Sequence, residues 1–238
     1  MFNNPIPKGQ VLCIHAEPVH ACKPERERTN TNFTDLIPAN QVGDLNNKSL
    51  FAAELRDNLL SYSRKWAEQN PNFLQLLPYV VLIDQATKKI LTYKRGKEGS
   101  EARLHDLRSI GFGGHIDSVD DYATLQDFRY DFDNVIAKNV ARELEEETGF
   151  DISTENFLAS AYFKGLLVSD SPDIKEVGHF HLGLLFVLEV DSSQVTKTNE
   201  VNVIDKMAWL TYDEVVQLNL APWSKVAEVQ AGYHFNKA

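Results

Sequence analysis

The chain has 238 residues, 43% hydrophobic and 24% charged, which is ample apolar material for one large globular core. A net charge of −10 and a pI near 5.2 leave no basic stripe for a nucleic-acid or anionic-membrane surface. No apolar run approaches membrane-spanning length, the N-terminus has no basic segment leading into an apolar one, and Cys13 and Cys22 read as free thiols, so a cytoplasmic protein is expected.

Residues 1–70 read as an N-terminal extension with one amphipathic helix, packed on a main domain at 71–238. Within the extension, 16–48 are polar and read mainly as irregular structure. From Ser49 to Gln69 the apolar positions Phe51, Leu55, Leu59, Tyr62 and Trp66 recur every three or four residues, which predicts a helix closed by Pro71. "LLPYVVLID" (76–84) predicts a buried strand and "KKILTYKR" (88–95) its hairpin partner. "SIGFGGHI" (109–116) is a short strand ending in glycines, and 117–132 an irregular or partly helical insert. A helix is predicted from about Asp133 to Thr148, with Ile136, Val140 and Leu144 on one stripe and Gly149 as its left-handed cap. Strands follow at 157–168, 179–190 and 206–212, and closing helices in "DEVVQLN" and "PWSKVAEVQAGYHF". Strands around one central helix, with helices at both ends, argue for an α/β chain whose mixed sheet is sandwiched between helices.

On that central helix Glu143, Glu146 and Glu147 are related by i, i+3 and i+4 and share a face. They sit at the C-terminal end, where the macrodipole is already negative, so they repel one another and the helix. A solvated acidic helix end is one reading. Bound hard cations such as Mg²⁺ or Mn²⁺ would relieve the repulsion, and these prefer carboxylate and phosphate oxygens.

"RELEEETGF" fits R-E-U-x-E-E-x-G-U at every position, U being apolar: Arg142, Glu143, Leu144, Glu146, Glu147, Gly149 and Phe150. A chance match in a chain of this length is on the order of one in 10⁵. This is the core of the Nudix box, and the chain resembles Nudix hydrolases, particularly a bacterial branch of predicted Nudix phosphoesterases, over about residues 75–215. The upstream half of the box is split. The ungapped glutamate position holds Asn134, whereas counting from Gly114 gives Asp120, followed by an insertion at 121–134.

The resemblance implies a Nudix-type α/β/α sandwich with a central catalytic helix. It implies Mg²⁺ or Mn²⁺ held by Glu143, Glu146, Glu147 and the carbonyl of Gly113, with Glu143 or Glu147 in catalysis and Arg142 orienting the glutamates. A further carboxylate is expected from "SDSPDIKE" (169–176), Glu176 first and Asp173 second. His115 and His181 are candidates for substrate contact, as are Arg95, Arg103 and Arg108 for phosphate oxygens. The implied activity is metal-dependent hydrolysis of a diphosphate linkage in a nucleoside diphosphate derivative or similar small molecule. The alternatives are a Nudix-like ligand-binding or regulatory module without turnover, and an isomerase, against which the missing cysteine motif argues. The partner expected is a small diphosphate substrate, not nucleic acid or membrane; the family often dimerises, which leaves a homodimer open.

Overall fold

The computed structural model describes residues 9–22, 34–43, 52–95, 107–117, 131–169, 177–195, 198–199 and 204–236. The strands among them are β1 (Gln10–His15), β2 (Thr34–Pro38), β3 (Leu59–Ser63), β4 (Phe73–Asp84), β5 (Lys89–Arg95), β6 (Arg108–Ser109), β7 (Gly111–Phe112), β8 (Tyr162–Ser169), β9 (His181–Glu189) and β10 (Ile204–Thr211). The helices are α1 (Ala16–Ala21), α2 (Ala39–Val42), α3 (Ala53–Arg56), α4 (Arg64–Ala67), α5 (Phe132–Thr148), α6 (Thr154–Ser160), α7 (Tyr212–Val215) and α8 (Pro222–Phe235).

One sheet runs β10-β5-β4-β9-β8-β2, with β1 and β7 also on β4, β3 on β1, and β6 on β5. β4 and β9 are parallel over Gln75–Ile83, and the other pairs are antiparallel, so the sheet is mixed. Alternation along β4 divides the core. Leu74, Leu76, Val80 and Leu82 pack in one cluster with Ile136, Val140 and Leu144 of α5. Val81 and Ile83 pack in another with Trp223, Ala227, Ala231 and Phe235 of α8. A strand with helices on both faces must be apolar on both, which is why "YVVLID" reads as a continuous run. The expected α/β/α sandwich is the observed one. No helix among the described residues is long and apolar enough to cross a membrane.

The β4–β5 hairpin pairs Ile83 with Ile90 and Asp84 with Lys89, as the sequence predicts. Three expectations are corrected. The single helix over 49–69 is replaced by α3, β3 and α4, because β1 offers 59–63 an antiparallel partner, Ile14 facing Leu59 and Gln10 facing Ser63. The helical spacing of Tyr62 and Trp66 serves an aromatic cluster instead, with ring centroids 4.2 Å apart and Phe73 against both. The described residues of 16–48 form α1, β2 and α2 where irregular chain is expected; β2 exists because it pairs with β8 from Thr34↔Ser169 to Pro38↔Gly165. Residues 157–160 belong to α6, which Ser153 caps by accepting from the Asn156 N–H, so the strand starts only at Tyr162. β1 and β2 put two segments of the first 70 residues into the same sheet as β4 and β8. Both cysteines are free, and burial pushes the Cys13 thiol up to about 12.

Candidate functional site

α5 carries the acidic motif because its apolar stripe docks on the sheet and leaves the adjacent face at the end of β7. Gly149 caps it in the left-handed region, φ 67°, donating to the Glu145 carbonyl at 2.9 Å. The exposed carbonyls of the last turn find side chains as well: Thr198 Oγ1 donates to the Glu147 carbonyl at 2.6 Å and Asn199 Nδ2 to that of Glu145 at 2.9 Å.

The glutamates divide by contact. Glu147 Oε2 accepts the backbone N–H of Gly113 at 2.7 Å. Gly113 has φ +135°, and a Cβ there would lie 2.2 Å from the Pro78 carbonyl oxygen, so only glycine fits beside β4. The Glu143 carboxylate lies over Gly114, where a Cβ would come within 2.4 Å of Oε1. Arg142 Nη1 pairs with Glu143 Oε1 at 2.8 Å and with Glu146 Oε2 at 3.0 Å, while its Nη2 donates to the His115 carbonyl at 3.4 Å. Glu143 is well covered, with 14% of its side chain exposed, against 50% for Glu146; Glu145, at the free position of the motif, is exposed. Among the described residues, no three His, Cys, Asp or Glu side chains gather closely enough to hold a metal ion. The carboxylates share a helix face, where Arg142 and the Gly113 N–H reach them.

His115 and His181 meet Nε2 to Nε2 at 3.2 Å, so one ring donates and the other accepts. Burial, then the Arg64 charge and His181, lower the His115 pKa to about 3, which keeps this ring neutral near neutral pH. The structure therefore brings Gly113, His115, His181, Arg142, Glu143 and Glu147 together. It places Arg108 elsewhere: Nη1 donates to Thr92 Oγ1 at 2.9 Å and to the Lys206 carbonyl at 3.2 Å, tying β6 to the β5–β10 edge. Arg95 closes β5 by its backbone, and its side chain lies outside the described set, as do Glu176, Asp173, Asp120 and Arg103.

Sequence reasoning missed two contributors. Asn139, fully buried on α5, donates from Nδ2 to the His115 carbonyl at 2.9 Å. Its signal was available: it lies three residues before Arg142 and four before Glu143, a polar position bordering an apolar stripe. Arg64 lies in the segment predicted as one amphipathic helix, and its charge reaches His115 from there.

No protein-family model matches the chain. Protein YmaB of Bacillus subtilis (strain 168) is 30% identical over 163 residues, covering 67% of this chain and 71% of that protein. Among solved structures, Tm1382, proposed to be a Nudix hydrolase, covers 96% of this chain and 100% of its own at 21% identity, with a TM-score of 0.63. The NUDIX domain of Shewanella oneidensis NrtR, solved with ADP ribose, covers 68% of this chain and 88% of its own at 16% identity, with a TM-score of 0.48.

Proposed function

The chain belongs to one family with Protein YmaB and has the fold of Nudix hydrolases, and from that premise we propose that it is a divalent-metal-dependent hydrolase cleaving the diphosphate linkage of a nucleoside diphosphate derivative or similar small molecule. The observation that supports this best is the bond from Gly113 N–H to Glu147, which holds an acidic helix face against a glycine strand end that a phosphate can approach closely.

Glu143, Glu146 and Glu147, with the Gly113 carbonyl, would hold Mg²⁺ or Mn²⁺. The donors are all hard oxygens, and three carboxylates at the negative end of α5 carry a repulsion that a cation relieves. When bound, such an ion offsets the charge of a diphosphate and makes a water more acidic. Glu143, largely shielded and steered by Arg142, is the candidate base for that water, with Glu147 the alternative. His115 and His181 can exchange hydrogen bonds with substrate oxygens. Glu176 remains the proposed carboxylate from the 169–176 loop.

A binding module without turnover is the second reading, favoured by one observation: Glu143 and Glu146 are both paired to Arg142 rather than gathered as a metal cage. A product-release assay over nucleoside diphosphate sugars, dinucleotides and simple nucleotides separates the two. Turnover with Mg²⁺ or Mn²⁺ that stops with EDTA and returns on metal addition supports the hydrolase. Binding of such ligands with no release on any of them supports the module.

A further inference from the structure

β4 and β9 run in parallel register with Gln75 opposite His181, so their side chains emerge side by side on one face of the sheet. That face is the one on which α8 packs, because Leu77, Tyr79, Val81 and Ile83 alternate with the residues facing α5. Gln75 is 0% exposed, and neither its Nε2 nor its Oε1 has a hydrogen-bond partner among the described residues. Its neighbour His181 meets His115, the residue that follows the glycines under Glu143 and Glu147.

Two residues along the same face of β9, the Trp223 ring lies on Gly183, where a Cβ would come within 2.8 Å of Cζ3. The ring also covers Gly178, where a Cβ would lie 3.2 Å from Nε1. That Nε1 is likewise buried without a partner among the described residues. A complete carboxamide and an indole N–H thus flank the imidazole pair that adjoins the acidic face. Each buried polar group left unpaired costs its full desolvation, and native folds leave few of them. The carboxamide of Gln85, in the β4–β5 turn, is likewise without a partner among the described residues; Gln75 and Trp223 differ in lying beside the imidazole pair, where local stability can be surrendered to recognition.

We propose that Gln75 and Trp223 form a specificity element that reads a planar donor–acceptor edge, that of a heterocyclic base attached to the diphosphate. This inference rests on the diphosphate reading of the site but not on turnover. A carboxamide supplies adjacent donor and acceptor, and the indole a second donor. A base edge presents donor and acceptor side by side and can match all three atoms; a phosphate oxygen satisfies only the donors, and a single sugar hydroxyl cannot meet both arms of the carboxamide in plane. Gln75 is covered in the free protein, so binding requires the side chains over it to move aside.

The test uses non-hydrolysable probes with Mg²⁺ present: the α,β-methylene analogues of ADP, GDP and UDP, and methylenediphosphonate as the base-free control. Calorimetric affinities should show wild type preferring at least one base-bearing probe by tenfold or more. Gln75→Met, which keeps length and removes the amide, should lose most of that preference, leave methylenediphosphonate binding unchanged and melt no lower than wild type. Trp223→Phe, which keeps a ring and removes the N–H, should reduce the preference severalfold and carries the test if Gln75→Met fails to fold. No preference in wild type, or an unchanged preference in the folded variants, overturns the proposal. Base preference without turnover in the product-release assay would sink the hydrolase reading and leave this one standing; turnover without base preference does the reverse.

Discussion

The backbone N–H of Gly113 donates to Glu147 Oε2 at 2.7 Å, joining the end of β7 to the last turn of α5. The bond depends on a backbone conformation, φ +135°, that side chains resist, and on a Cβ-free approach to the Pro78 carbonyl. Gly113→Ala should therefore destabilise the fold by about 2–4 kcal/mol, from strain plus the displaced strand contact. At roughly 2–4 °C per kcal/mol for a chain of this size, a thermal melt should fall by about 5–15 °C.

Gly114→Ala should behave differently. Its Cβ meets the end of the Glu143 side chain rather than backbone, so the carboxylate can move aside and the fold persists. Because catalysis tolerates misplacement poorly, kcat/KM should drop about 10²-fold with a melting temperature within a few degrees of wild type. Kinetics and melting measured on one preparation check both halves.

Arg142 joins Glu143, Glu146 and the His115 carbonyl, so in the proposed hydrolase its effect on turnover would run through these neighbours. Arg142→Ala should lower kcat/KM about 10–100-fold while costing about 1 kcal/mol of stability, since its ion pairs are partly exposed. Arg142→Lys should recover little, because one ammonium cannot span the two carboxylates and the carbonyl as a planar fork does. Steady-state kinetics of the two variants test this.

Acid sensitivity should be visible away from the site. Hydrogen bonds from the Ser192 hydroxyl above all, and from the backbone N–H groups of Thr87 and Ser192, hold the Asp84 pKa down at about 2. A carboxyl lowered on folding contributes stability that is complete above its unfolded pKa near 3.8 and is lost as pH falls through about 2. Asp84→Asn should thus melt below wild type at pH 7, and the gap should close as pH falls from about 4 to 2. Melting both proteins across that range checks the sign.

How legible was all this in the sequence? α5 and its cap were readable because one helix carries its own periodicity and Gly149 its own conformational signature. The acidic motif was readable for the same reason, since i, i+3 and i+4 fix a shared face without reference to other elements. β1, β2 and β3 were not readable: each exists through a partner far along the chain, as in Val11↔Tyr62 and Thr34↔Ser169. Gln75 escaped because the apolar run starts at Leu76, and only register with β9 sets the amide beside His181. The contact of Glu147 with Gly113 likewise needs the packing of α5 on the sheet, which no local pattern specifies.

On the reading proposed above, the acidic face of α5 performs metal-dependent diphosphate cleavage. Its most direct test compares the turnover of Glu147→Gln with that of Glu145→Gln, each with Mg²⁺ on the best substrate of the panel. Glutamine can still accept the Gly113 N–H but carries no charge, and Glu145 is exposed at the free position of the motif. Glu147→Gln should lose about 10²–10⁴-fold in kcat with its fold intact, while Glu145→Gln should match wild type. Equal activity in all three proteins would contradict it.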